Sequence, residues 1–366
     1  MERPWHARFN WLMAVTTVAL SLFGVIIIHS ANLHSPDASG EWRKQLIYIA
    51  FGIAAMAWFA WVDYRRWQRW ALHLYLANLV LLYFVSKGGY SVMGAQRWIT
   101  LGPLGTFQPS EPAKVVLAIV VAALLASTMV AGWKEIMFTL LAVGLPAFLI
   151  LKQPDLGTTL VIFAIVTAQL FFGVAQTWYL AGYAAFSGLA AAVVLGTNAV
   201  LKPFQRSRIL IFLHPNNDPQ GAGWNLSQSK IAVGSGELFG KGLTHGTQTQ
   251  LDFVPEHSRD FIFTVVGEEL GYLGALGLVA AYVVVLVGAV GALFAARDRF
   301  GLLLAVGLVT MLAVHIVVNI GMTVGIMPIT GIPLPFMSYG GSAIITDFAA
   351  VGLLLNIHMQ RDRLVF

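Results

Sequence analysis

The chain of 366 residues contains no cysteine, and only 11% of its residues are charged. The first absence excludes a disulfide framework, a thiolate metal centre and a cysteine nucleophile, and it leaves the redox compartment open. The second is less than half of the roughly 25% typical of soluble domains. There is also no low-complexity tract, no obvious internal repeat and no basic run interleaved with aromatic residues. Nucleic acid is therefore not expected as a partner, and the net charge of +5 is accounted for by loops anchored at a membrane surface. What is abundant is apolar: 58% of the residues are hydrophobic and the mean hydropathy is +0.75. Such a balance describes an all-α, polytopic integral membrane protein.

Apolar runs long enough to cross a bilayer, about 20 residues each, fall near 9–29, 45–62, 68–86, 112–131, 135–151, 156–174, 178–201, 264–294, 301–326 and 342–359, which makes ten. The first is too long for a signal-peptide core and lacks a small-residue cleavage site, so it reads as a span. Ten spans put both termini on one side. The short segments of that side carry ten basic residues (Arg3, Arg8, Arg65, Arg66, Arg69, Lys134, Arg297, Arg299, Arg361, Arg363), against five opposite (Arg43, Lys44, Lys87, Arg97, Lys152). The positive-inside rule then makes both termini cytoplasmic. Residues 202–263, a long polar loop between helices 7 and 8 within a single membrane domain 1–366, fall outside the cytoplasmic membrane. Cytosolic nucleotides are not available there. A loop of that length in so apolar a chain is expected to carry function.

Several polar residues sit where they are costly. Ser110 and Pro112 suit the start of a helix, which puts Glu111 and Lys114 on one face at i, i+3 spacing. They form either a structural ion pair or a site in which Lys114 binds an anionic group. Asp155 is a plausible cap over the turn to Thr158. His315 and Asn319, one helical turn apart, suit interhelical hydrogen bonding better than ligation. In residues 325–342, prolines and glycines break the helix, and irregular backbone at membrane depth persists only in protein or beside a water-filled cavity. A substrate cavity is expected near it, with Ser338, Tyr339 and Ser342 as candidate ligand contacts.

Five carboxylates stand between Leu251 and Leu270: Asp252, Glu256, Asp260, Glu268 and Glu269, with His257 and Arg259 among them. Asp260 differs because it lies between a polar stretch and the apolar residues that open the eighth span. A carboxylate at such a boundary is subject both to desolvation and to the helix start, which act oppositely on its proton affinity. Glu268 follows two turns later, about 12 Å away by helical rise. That is too far to act on the same bond, which favours a structural role. Asp252, Glu256, His257 and Asp260 match no metal-binding spacing.

The strings QRW (96–98), QPSEPAK (108–114), QPDLGT (153–158), GSGELFGKGLTHGTQTQLDFVPEHSRDFIF (234–263), EELG (268–271) and GIPLPFMSYGGS (331–342) resemble the SEDS family of shape, elongation, division and sporulation proteins. The resemblance runs nearly end to end. It implies a ten-helix peptidoglycan glycosyltransferase of the bacterial cytoplasmic membrane that polymerises lipid II on the outer face. The family's catalytic aspartate falls on Asp260, and its paired glutamate and lysine on Glu111 and Lys114. Glu237 and Leu238 lie in a more variable stretch.

The mechanism this implies has Asp260 as general base, taking the proton from the acceptor sugar's 4-hydroxyl as it attacks the anomeric carbon of the donor. An α-linked donor gives a β-1,4 bond with inversion and releases undecaprenyl pyrophosphate. Its developing charge needs cations or helix ends. Arg97, Lys114, Arg208 and Lys230 are the candidates, Arg208 and Lys114 foremost, and a bound Mg²⁺ or Mn²⁺ could share the task. The implied partners are a class B penicillin-binding protein, expected against the eighth and ninth spans, and other elongation-complex proteins. The polyprenyl tail is expected in a lipid-facing groove. The rival readings are a lipid flippase or transporter, which also use intramembrane charge and broken helices, and a non-catalytic scaffold.

Overall fold

Backbone crossing a bilayer must satisfy its own N–H and C=O groups, so apolar runs of this length become helices. The computed structural model describes residues 8–34, 38, 40–92, 95–100, 102, 105–128, 131–174, 176–196, 212 and 221–360. Helices α1 (Trp11–Ala31), α2 (Glu41–Trp61), α3 (Arg65–Gly88), α4 (Ser110–Ala126), α5 (Trp133–Lys152), α6 (Leu156–Gly173) and α7 (Thr177–Gly196) come first. Two shorter helices, α8 (Ala222–Ser235) and α9 (Thr247–Gln250), lie in the polar stretch. The chain closes with α10 (Ile262–Ala295), α11 (Arg299–Val324) and α12 (Gly341–Met359). Among the described residues eight helices are long and apolar enough to cross a membrane, namely α1, α2, α3, α5, α6, α10, α11 and α12. The other two expected spans coincide with α4, 17 residues long, and with α7. The chain is a multi-pass membrane protein.

One small element departs from an all-helical chain. Between α3 and α4 run three short antiparallel strands, β1 (Tyr90–Val92), β2 (Ala95–Thr100) and β3 (Thr106–Phe107), in that order. Trp98, Ile99, Thr100, Thr106 and Phe107 are β-branched or aromatic, and the run is too short to span. The polar stretch also departs from a plain loop: α8 lies against α10 and α11, and α9 against α8.

Helix α11 stands at the centre, packed on α4, α6 and α10, while α12 lies along α2. At one end of the bundle Asp298 caps α11 through the N–H of Gly301 and takes hydrogen bonds from the Arg65 guanidinium and the Tyr64 hydroxyl, and Arg299 donates to the Gly173 carbonyl. Arg65 and Arg299, counted on one side in the charge comparison, thus lie at the same end of the bundle. At the other end lie the sheet, α8, α9 and the non-helical segment 325–340.

Helix α10 is interrupted at Gly271, where φ is 66°. The break frees helix carbonyls and N–H groups, and residues 237–242 supply their partners. Lys241 and Gly242 donate their N–H to the carbonyls of Glu268 and Glu269, and Tyr272 and Leu273 donate to the carbonyls of Glu237 and Leu238. Glu237 and Leu238 therefore act here through their main-chain carbonyls. A β-carbon on Gly271 would sit 2.3 Å from the Gly240 nitrogen. Gly271→Ala is accordingly expected to lose about 1–3 kcal/mol from backbone conformation alone, read as a lowered thermal midpoint of the purified protein.

Candidate active site

Residues 251–261 form successive turns that end where α10 begins, and Asp260 is half-buried at that junction. The three carbonyls up to it are each held from elsewhere in the fold. The Tyr339 N–H donates to Ser258 O (2.9 Å), the Ser338 hydroxyl to Arg259 O (2.6 Å) and the Asn319 side-chain amide to Asp260 O (2.8 Å). Asn319 also donates to Ile332 O at 2.7 Å, so one side chain of α11 ties the loop to segment 325–340. Ahead of these, the Ser258 hydroxyl donates to Glu41 (2.9 Å), and the His257 ring contacts Asn32 and the Val254 carbonyl. The carboxylate is carried on backbone anchored at consecutive residues. Removing a partner strands a buried carbonyl, which costs about 1–3 kcal/mol per group. Asn319→Ala leaves two such carbonyls, and we expect a lower thermal midpoint together with faster amide hydrogen exchange at residues 259–261.

The other four carboxylates of the stretch have structural partners. Glu268 is fully buried and accepts from the N–H groups of Gln248 (2.8 Å) and Thr249 (3.1 Å), the Thr249 hydroxyl (2.8 Å) and Lys241 (2.8 Å), fastening α9 to α10. Glu269 takes the Ser30 hydroxyl of α1 at 2.7 Å. Glu256 pairs with Arg259 at 3.4 Å, and Asp252 stands 3.6 Å from His257. Arg259 also reaches Glu41 at 3.6 Å and lies over the Tyr339 ring. Burial raises the Tyr339 phenol well above its ordinary pKa, and neighbouring Tyr48 and Glu41 add to it, so the hydroxyl stays protonated. Among the described residues no group of three or more Asp, Glu and His could hold a metal ion. Mg²⁺ or Mn²⁺ finds no fitting donor set there.

The structure redistributes the roles expected of the polar residues. Ser338 does not face a ligand: besides donating to Arg259 O, its hydroxyl accepts the Leu334 N–H at 2.8 Å, so both its hydrogen-bonding directions are used inside the fold. Arg97 clamps the α5–α6 turn, donating to the carbonyls of Gln153 (2.8 Å) and Pro154 and lying 4.0 Å from Asp155. Asp155 caps α6 through the Thr158 N–H (3.0 Å) and accepts from Gln108 (3.1 Å), while Ser342 holds the Gln108 N–H (2.8 Å). Lys230, exposed on α8, makes no hydrogen bond or ion pair among the described residues and lies over Gly325. Arg208 lies outside the described residues.

Lys114 departs furthest from expectation. It is only 1% exposed, and its ammonium sits 2.9 Å from Glu111 and 3.0 Å from Nε2 of His315. Its ammonium is thus engaged by two side chains of the bundle, the ion pair that the spacing allows and a histidine it did not signal. Beyond His315, Nδ1 is 3.9 Å from the carboxylate of Asp347 on α12. The i, i+3 spacing signals the Glu111–Lys114 pair; Asp347 was missed, although a lone carboxylate in an apolar span is a signal in itself.

Beside this region an apolar cavity of about 250 Å³ opens between α2, α3, α4 and α12, lined among others by Tyr48, Phe59, Trp67, Pro112 and Ile345. From Tyr48 to Phe59 it follows α2 for about 16 Å by helical rise. It begins at Gly341 and Ser342, immediately after segment 325–340.

A chain with this bundle and this anchored loop belongs to a defined class of membrane enzymes. The cell cycle protein family of FtsW, RodA and SpoVE matches residues 10–363, and the chain is a member of that family. The peptidoglycan glycosyltransferase MrdB of Escherichia coli K12 is 38% identical over 353 residues, covering 96% of this chain and 94% of the relative. Among solved structures, one describing coordination of polymerization and crosslinking by a peptidoglycan synthase complex matches with a TM-score of 0.81 at 30% identity, covering 97% of this chain and 99% of that one. The rod shape determining protein RodA of Thermus thermophilus matches with a TM-score of 0.71 at 28% identity, covering 97% and 98%. The chain is a glycosyltransferase of the FtsW/RodA/SpoVE family.

Proposed function

We propose that this protein polymerises lipid II into β-1,4 glycan strands on the outer face of the bacterial cytoplasmic membrane, for cell elongation, with both termini cytoplasmic and Asp260 as general base. The observation that carries this reading is the anchoring of three consecutive carbonyls, 258–260, which fixes one half-buried carboxylate at the edge of the bundle. The base takes the proton of the acceptor's 4-hydroxyl while that oxygen attacks the anomeric carbon. The bond to pyrophosphate breaks on the opposite face and the configuration inverts. Holding hydroxyl and anomeric carbon in line contributes more than any single group.

The apolar cavity between α2, α3, α4 and α12 suits the polyprenyl tail, since it is open, nearly free of polar atoms and ends beside segment 325–340. For the pyrophosphate, Lys230 is the described candidate that keeps its charge unengaged, and Arg208 remains the other; Arg97 and Lys114 are committed to the fold. A class B penicillin-binding protein is the proposed partner, with other elongation-complex proteins around it. Its helix fits α10, which exposes Tyr272, Leu276, Val283, Val287 and Phe294 along one side, better than α11, which is largely enclosed.

Purified protein in liposomes supplied with lipid II tests the reading. Glycan strands are expected without any nucleotide; lipid movement without glycan would indicate a transporter, and neither outcome a scaffold.

A further inference from the structure

Four ionisable side chains from three helices meet in the middle of the bundle: Glu111 and Lys114 of α4, His315 of α11 and Asp347 of α12, each no more than 4% exposed. Their order follows from hydrogen-bonding capacity. An ammonium has only donors, so the His315 Nε2 that lies 3.0 Å from Lys114 must present its lone pair. The ring proton is then on Nδ1, which points toward the Asp347 carboxylate at 3.9 Å. Lys114 directs a second proton to Glu111 at 2.9 Å. Nδ1 of His315 and Oδ1 of Asp347 are both buried without a hydrogen-bond partner, and the 3.9 Å between them is an approach of the two groups, longer than a hydrogen bond.

His315 and Asp347 each sit on an element that also reaches what holds Asp260. Asn319, one turn beyond His315 on α11, binds the Asp260 carbonyl. Next to Asp347 on α12, Phe348 packs its ring edge-on against that of Phe336 at 5.7 Å between centroids, and Phe336 is held at φ 67°. Two residues later, Ser338 binds the Arg259 carbonyl. Helix α11 and segment 325–340 therefore reach the loop from one side and the charged group from the other.

We infer that His315 and Asp347 are positioning residues for the transfer reaction: with Lys114 and Glu111 they form one directed chain, hydrogen-bonded from His315 through Lys114 to Glu111 with Asp347 3.9 Å beyond the ring, that sets the two anchors of the Asp260 loop. The inference rests on Asp260 being the base. It requires a neutral His315 ring with its proton on Nδ1, and loss of either end should shift the loop as a unit.

The test uses the full-length protein in detergent with ¹⁵N-labelled histidine. The His315 signals are those missing from the His315→Gln spectrum, and independently those that move in the isosteric Asp347→Asn variant. We expect Nδ1 protonated and Nε2 bare; a doubly protonated ring, or a proton on Nε2, would overturn the inference. In lipid II polymerisation, His315→Gln and Asp347→Asn should each lower kcat by about ten- to a hundredfold, as displacement of reacting groups does, with KM nearly unchanged. The double variant should be no worse than either single one. Wild-type turnover in either variant, or losses that multiply, would also overturn it. The ring measurement needs no turnover, so it separates the two readings. The wrong tautomer alongside an inactive Asp260→Asn removes the directed chain and spares the base; normal polymer from Asp260→Asn with the expected tautomer does the reverse.

Discussion

Asp260→Asn is expected to leave the protein folded and to slow polymerisation of lipid II by about a hundredfold to ten-thousandfold, the usual contribution of a general base. The fold should survive because the anchoring hydrogen bonds go to the main-chain carbonyls of residues 258–260, which the substitution keeps. On the proposed mechanism, what is lost is the proton acceptor. The thermal midpoint and the rate of glycan formation by purified protein check both halves. Asp252→Asn and Glu256→Gln serve as controls, since those side chains face His257 and Arg259 and should retain most activity. Unimpaired glycan synthesis by the Asp260 variant would remove the assignment.

Lys114→Met should have the largest effect on stability. It leaves Glu111 buried without its counter-ion, 2.9 Å from where the ammonium stood, and breaking such a pair costs about 3–5 kcal/mol. Removing both charges is different, because an apolar replacement of a whole buried pair is often neutral. The double variant Glu111→Gln, Lys114→Met should therefore regain much of the lost thermal midpoint while remaining slow in polymerisation. A single variant as stable as the parent would mean that the lysine is solvated and free to meet an anion.

These two residues mark what could be read from the chain alone. The spans were legible because apolar runs of membrane length have little alternative to helix. The position of Asp260 at the junction of the polar loop and the helix was legible from the polar–apolar boundary, and the capping role of Asp155 from local turn chemistry. The groups that cover Ser338, Arg97 and Lys114 were not legible, for a common reason. Spacing tells which face a side chain occupies, but not what covers that face, and each is covered by protein: Arg259 O, the α5–α6 turn and His315 respectively. The break at Gly271 was hidden because apolar residues continue across it and its backbone partners come from residues 237–242. The short sheet lay below the length at which alternation can be recognised.

The anchoring of the Asp260 loop has a consequence for biosynthesis. The groups that hold it, Asn319 and Ser338, come 59 and 79 residues later than the carbonyls they bind. A ribosome-bound chain that has inserted α10 already exposes the aspartate, yet lacks the segments that aim it. On the proposed role of Asp260, activity should therefore appear only once α11 and segment 325–340 have packed onto the loop, and a copy stalled before them should build no glycan.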